Sequence, residues 1–450
     1  MEQRSSVFCG KATNLYIGVM ASLFPLFTGP EGYILLEWKK CLFFVFSTGI
    51  WLLALTGGIV CGRGKDLVRP GRNTQELLLI WFVAACALST LLSPWAMYLP
   101  ASGGRYNTLL TYFLYALVMF GVSRFGRAKQ YLLYVFLAAY SICCLIALIQ
   151  LLGGNPLDLF PNHLNYYDPF VREMAPFLGT LGNIDLFSAL HCLALPMSVV
   201  WLVMGHQKNR ALGLIPLALG LLCVLWVQVA SGILALVVSA CLFLAFLPAL
   251  LYQRYGYFAK TGKRNRLLLG VIPVLGLLAA MLIVLKAYPF SGGTLSELHQ
   301  ILNGQISDTF GSSRIAIWKN TLQVISAHPL LGVGPGALGN VLTVHFSRYS
   351  DVLGCLVETG VNDAHNEYLH YLASFGILGF LPLFLLQLRT AILFLRVKAY
   401  RYNECLVLGA GCFCYMVQAF FNIGTCITTP MICIVWGLLL GSIQYGPGSV

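Results

Sequence analysis

Two stretches of the chain, residues 211–253 and 405–450, contain no Asp, Glu, Lys or Arg. A helix rises about 1.5 Å per residue and a bilayer core is about 30 Å thick, so about 20 apolar residues make one crossing. The 43 residues of the first stretch would extend about 64 Å as a single helix, enough for two crossings. The expected turn is Gln228–Gly232, and the expected break in the second stretch lies between Asn422 and Pro430. Hydrophobic residues make up 58% of the 450 and charged residues 10%, against about 25% charged in ordinary soluble domains. This excludes a soluble enzyme and predicts an all-α, polytopic membrane protein.

With charges as rulers, the remaining spans fall at residues 12–30, 41–62, 76–94, 105–124, 129–153, 181–204, 266–286 and from 366 past Arg389. About twelve transmembrane helices are expected. They divide into helices 1–9 (residues 1–286), a large loop (residues 287–364) and helices 10–12 (residues 365–450). The first apolar run reads as a retained helix, because it lacks a small-residue cleavage site. With the N-terminus in the cytoplasm, 20 of the 28 basic residues fall on the cytoplasmic side, leaving Lys39, Lys40, Arg105, Arg172, Lys286, Arg314, Lys319 and Arg348 on the outer side. That side then carries a net +16 and the outer side −4, as the positive-inside rule demands. Both termini are expected inside, and the net charge of +12 needs no nucleic-acid partner. The 15 cysteines lie mostly in apolar runs without a CxxC motif, a weak basis for disulfide or zinc readings.

The large loop holds Trp318, His328 and Gly and Pro punctuation, so it reads as structured and containing short helices. Within it, Ser312 or Ser313 can cap a helix that places Ile315, Trp318, Leu322 and Ile325 on one face and ends before Pro329. Arg314 would sit in its first turn, bound to lipid phosphate or to a substrate phosphate. The run from Pro329 through Gly332, Gly334 and Gly336 resembles a nucleotide-binding loop only superficially and is expected to be a tight turn. Asp363 is the expected cap of span ten, with His365 in the first turn. There a helix dipole disfavours imidazolium, while Asp363 and Glu367 favour it, so His365 is either structural or a general base. Asn183 and Asp185 stand at the outer end of span six, as a helix cap or as the edge of a polar cavity.

Three segments carry a family resemblance: RIAIWKNTLQVISAHPLLGVGPGALGNV from Arg314, AHNEYLHYLASFGILG from Ala364, and GTLGNIDLFSALHCLALP from Gly179. Together they resemble the O-antigen ligase and O-antigen polymerase superfamily of bacterial membrane glycosyltransferases. The resemblance implies a GT-C-like fold in the inner membrane and a donor glycan on undecaprenyl diphosphate. The acceptor would be another glycan, a lipid or a protein. It implies no cofactor and no metal. His365 is similar to the family's catalytic histidine and Arg314 to its diphosphate-binding arginine. Asn183, Asp185, Arg172, Lys286, Trp318, Asp363, Asn366, Glu367 and Arg348 complete the candidate substrate-binding set.

Two positions depart from the family pattern. Val229-Ala230-Ser231-Gly232 replaces a Ser-Arg-Gly motif and lacks its arginine, and Asp185 stands where Asn is common. Two competing expectations are a flippase for lipid-linked oligosaccharide, which would place polar groups at the bilayer midplane, and a non-catalytic member of a polysaccharide assembly complex.

Overall fold

The structure, a computed structural model, describes residues 2–61, 73–95, 105–160, 178–205, 209–291, 293–308, 310–350 and 355–445. It is helical apart from one small ribbon. The helices are α1 (Glu2–Leu26), α2 (Leu36–Cys61), α3 (Thr74–Leu92), α4 (Leu109–Phe125), α5 (Gln130–Leu151), α6 (Ile184–Met204) and α7 (Leu214–Val227). They continue as α8 (Ala230–Tyr255), α9 (Lys263–Ala287), α10 (Gly293–Leu302), α11 (Phe310–Ala327), α12 (Glu367–Arg396), α13 (Asn403–Gln418) and α14 (Thr429–Tyr445). Among the described residues nine helices are long and apolar enough to cross a membrane, and three apolar ones, Leu109–Phe125, Arg210–Trp226 and Thr429–Tyr445, are shorter. Between α11 and α12 the strands β1 (His345–Ser350) and β2 (Cys355–Gly360) pair antiparallel, a departure from the all-α expectation.

The two uncharged stretches break where they were expected to. Gln228, left-handed at φ 48°, separates α7 from α8. In the second stretch, residues 419–428 separate α13 from α14. The core lies where α13 packs on α6, α14 on α4, α12 on α3, and α1 on α2 and α5. By contrast, α9 packs mainly on α8 and leaves Ile272, Leu275 and Ile283 exposed, as a helix facing hydrocarbon can. Among the described residues, the fourteen cysteines whose side chains are described form no disulfide. Cys412 and Cys414 are packed in the core.

Two polar contacts tie helix ends together. Arg124 Nη1 donates to Glu76 Oε1 at 2.8 Å, joining the end of α4 to the start of α3. Lys40 is fully buried, and its Nζ donates to the carbonyls of Phe24 at 2.8 Å and Pro25 at 3.1 Å. A helix leaves its last carbonyls unpaired and carries a partial negative charge there, so Lys40 caps α1. Although expected among the outer basic residues, it is committed to the fold.

The glycine-rich run after α11 is a docking strand rather than a phosphate cradle. Helix α12 is broken at Gly376, whose φ of 60° and ψ of −169° lie in a region essentially reserved for glycine. The break frees backbone groups that must be satisfied inside a membrane protein. Val333 N donates to Ala373 O and Gly334 N to Ser374 O, both at 2.9 Å. In return, Ile377 N donates to Pro329 O at 2.9 Å and Leu378 N to Leu330 O at 3.2 Å. Ser89 of α3 lies 2.6 Å from Leu331 O, and Ser93 donates to Val333 O. A Cβ on Gly332 would stand 2.4 Å from Ala373 O, so the two backbones touch. This junction fixes the end of α11 against α12.

Candidate active site

At the end of the bundle where α2, α4, α6 and α12 begin, charged side chains converge from five segments. Helix α11 contributes Arg314. The helix extends past the expected cap at Ser312 or Ser313: α11 begins at Phe310, and Ser313 lies inside it with a left-handed φ of 64°. Gly311 N donates to Glu297 Oε2 at 3.0 Å, which anchors this irregular first turn to α10. The buried face also differs from the expected one. Ile317, Thr321 and Val324 are buried, whereas Leu322 is 51% exposed. Arg314 precedes Ile317 by three residues and shares its face, so its side chain points into the protein. Arg314 Nη1 donates to Gly311 O at 3.2 Å, and its buried Nε has no partner among the described residues.

Helix α6 contributes Asp185. Asn183 is the cap of α6, its Oδ1 accepting from Asp185 N at 2.7 Å and from Leu186 N at 3.2 Å. The turn before it is held by Gln150, whose Oε1 accepts from Leu178 N at 3.1 Å and Gly179 N at 2.9 Å. Asp185 Oδ1 then lies 3.7 Å from Arg314 Nη2, an ion pair too long for a hydrogen bond.

The approach to α12 contributes Asn362, Asp363 and His365. The cap of α12 is Asn366, not Asp363: Asn366 Oδ1 accepts from Leu369 N at 3.0 Å. His365 therefore lies just outside the helix, with a left-handed φ of 47°. Asp363 instead folds the turn, its Oδ1 accepting from His365 N at 3.0 Å. Its other oxygen lies 3.2 Å from His370 Nδ1. Burial pushes the His365 imidazole below its ordinary range; Asp363 and Asp185 pull it up, and Arg105 and Arg314 push it further down. The net effect keeps the ring neutral at neutral pH, the form that can accept a proton.

The turn before α4 contributes Arg105, one of the eight basic residues expected on the outer side but outside the candidate substrate-binding set. Its Nε donates to Asn362 Oδ1 at 3.2 Å, and its Nη1 stands 3.9 Å from Glu37 Oε1 at the start of α2. Its position among the outer basic residues was the one available sequence signal. Of the other candidates, Trp318 packs its ring 5.8 Å from that of Phe421, with a buried Nε1 that has no partner among the described residues. Glu367 is buried and accepts a hydrogen bond from Tyr415. Lys286 is exposed at the end of α9, and no contact joins it to Arg314 or His365 among the described residues. Arg348 lies on β1, its backbone paired with Val357. Arg172 lies outside the described residues.

The arrangement sets a neutral base beside two guanidinium groups and two carboxylates, at a place where four helices begin. Such an arrangement can deprotonate a hydroxyl and stabilise a departing anion. Residues 215–384, which hold both Arg314 and His365, match the family model described as O-antigen ligase. Over this stretch the chain is similar to the O-antigen ligase family. That similarity points to a glycosyltransferase-type enzyme of a bacterial membrane, with a lipid-linked glycan and an acceptor as partners in general terms. No curated protein matches the chain.

Proposed function

We propose that the chain transfers a glycan from polyprenyl diphosphate to an acceptor hydroxyl on the outer face of the bacterial inner membrane, ligating or polymerising surface polysaccharide. Twelve spans with both termini cytoplasmic would hold the site at the outer end, and residues 287–364 would form the loop carrying α10, α11 and the ribbon. The observation that carries this reading is the convergence of Arg314 and His365. His365, held neutral and partly buried, takes the proton of the acceptor hydroxyl. The acceptor oxygen attacks the anomeric carbon as the bond from that carbon to the diphosphate oxygen breaks, and configuration inverts. The diphosphate leaves with the electron pair, and Arg314 stabilises the charge that develops on it. Neither step calls for a metal: a base and a cation supply what a good leaving group requires.

The test is transfer by purified, reconstituted protein from an undecaprenyl-diphosphate-linked oligosaccharide. His365→Ala should reduce the rate about 10²–10⁴-fold, the usual contribution of a general base. Arg314→Ala should cost about 10²–10³, like removal of one transition-state donor. Undiminished transfer by His365→Ala rules out the assigned base.

A further inference from the structure

Arg105 is the second guanidinium at this site, and among the described residues only one of its donors has a hydrogen-bond partner. An arginine has five N–H donors. One of them, Nε, is engaged with Asn362 Oδ1 at 3.2 Å. Its contact with Glu37 is 3.9 Å, beyond hydrogen-bond range. The side chain is 22% exposed, so it is partly open to solvent. Two sets of contacts flank His365, whose imidazole feels the charge of both guanidinium groups. Arg105 holds Asn362, the next residue, Asp363, accepts from His365 N, and Asp185 faces Arg314. The backbone is constrained as well: Arg105 and its neighbour Tyr106 are both left-handed, at φ 49° and 55°. Non-glycine residues in that region cost about 1–3 kcal/mol each, and such strain persists where the surroundings hold it. Tyr106 is held by Trp38, with ring centroids 5.3 Å apart.

We propose that Arg105 is a substrate-binding residue that, together with Arg314, grips the two phosphates of the donor diphosphate. This rests on the diphosphate reading given above and extends it. Two phosphates carry more charge and more acceptor oxygens than one guanidinium can pair, and planar forks match phosphate bidentately. The sequence lacks arginine at Val229-Ala230-Ser231-Gly232, and Arg105 brings a second cation from a different part of the chain. Glu37 competes with the ligand for the Arg105 guanidinium.

Inorganic pyrophosphate is the probe, titrated calorimetrically into the purified full-length protein in detergent. Wild type should bind it. Arg105→Ala should weaken binding about tenfold, the scale of a lost charge-assisted contact. Glu37→Gln should tighten it, which a purely structural role for Arg105 does not predict. Lys319→Ala, which removes an exposed lysine paired with Asp308, should bind as wild type. If Arg314→Ala loses affinity while Arg105→Ala does not, the inference fails and the wider reading stands. If wild type does not bind pyrophosphate, both fail. Should Arg105→Ala not fold, Glu37→Gln decides, and unchanged affinity in that variant overturns the proposal.

Discussion

Arg314 on α11 and Asp185 on α6 oppose each other across the site with Nη2 3.7 Å from Oδ1. The carboxylate is close enough to hold the guanidinium in place and too far to occupy its donors fully. It also favours the charged form of His365. Asp185→Asn should therefore act in two ways. It leaves Arg314 freer for an anion, so the donor KM should fall. It also removes a carboxylate that raises the His365 pKa, so that pKa should drop further.

The sign of the pH effect follows from the base being active when neutral. Activity is present above the His365 pKa and is lost as pH falls through it. Because that pKa lies below the ordinary imidazole value, the acid limb of kcat/KM in wild type should lie on the acid side of about 6.5. In Asp185→Asn the limb should move to lower pH still. A limb that moves upward would show that Asp185 does not act on the titrating base.

The junction at Gly376 should be as sensitive as the site it positions. A Cβ there would stand 2.2 Å from the carbonyl oxygen of Leu330, a backbone atom that cannot step aside. The φ of 60° adds about 1–3 kcal/mol for any other residue. Gly376→Ala should lower the melting temperature and remove activity together, because the α11 end loses its seat on α12. Gly276→Ala, on α9 with nothing within 4 Å of its Cβ, should leave both unchanged. Equal melting temperatures for the two variants would contradict the docking.

Much of the fold was legible because lipid imposes a simple rule: charge-free runs of about 20 residues become helices. The two breaks at Gln228 and near Asn422 could be read from length and turn chemistry. Arg314, His365 and Asp185 stood out because polar groups at span ends are expensive unless used. What was hidden depended on contacts between distant segments. Arg105 meets Asn362 across 257 residues, a pairing that no local pattern encodes. Asp363 and Asn366 are both good caps, so the local sequence could not show which would be chosen. On α11, one stripe through Ile315, Trp318 and Leu322 and another through Ile317 and Val324 are both plausible buried faces. Seating of the Pro329–Gly334 run on α12 selects the second.

Lys40 offers a test that separates a structural cation from a ligand-binding one. It is fully buried, and its ammonium donates to two carbonyls at the end of α1. Lys40→Met removes those donors and keeps an apolar stem of similar length. It should lower the melting temperature, since hydrogen bonds to charged groups contribute about 1.5–3 kcal/mol each. The affinity of the folded variant for pyrophosphate should match wild type. A selective loss of affinity at unchanged stability would return Lys40 to the anion site.

The orientation of the bundle can be read with thiol reagents. Cys61 is exposed at the end of α2, on the side expected to be cytoplasmic. Leu322 is exposed on α11, on the side expected to be outer. An impermeant maleimide applied to intact spheroplasts should label Leu322→Cys and spare Cys61, and permeabilisation should add the label at Cys61. The positive-inside rule demands this order, because the basic clusters resist translocation. Labelling of Cys61 from outside would invert the topology. It would then place Arg314 and His365 on the cytoplasmic face, where the proposed acceptor would not meet them.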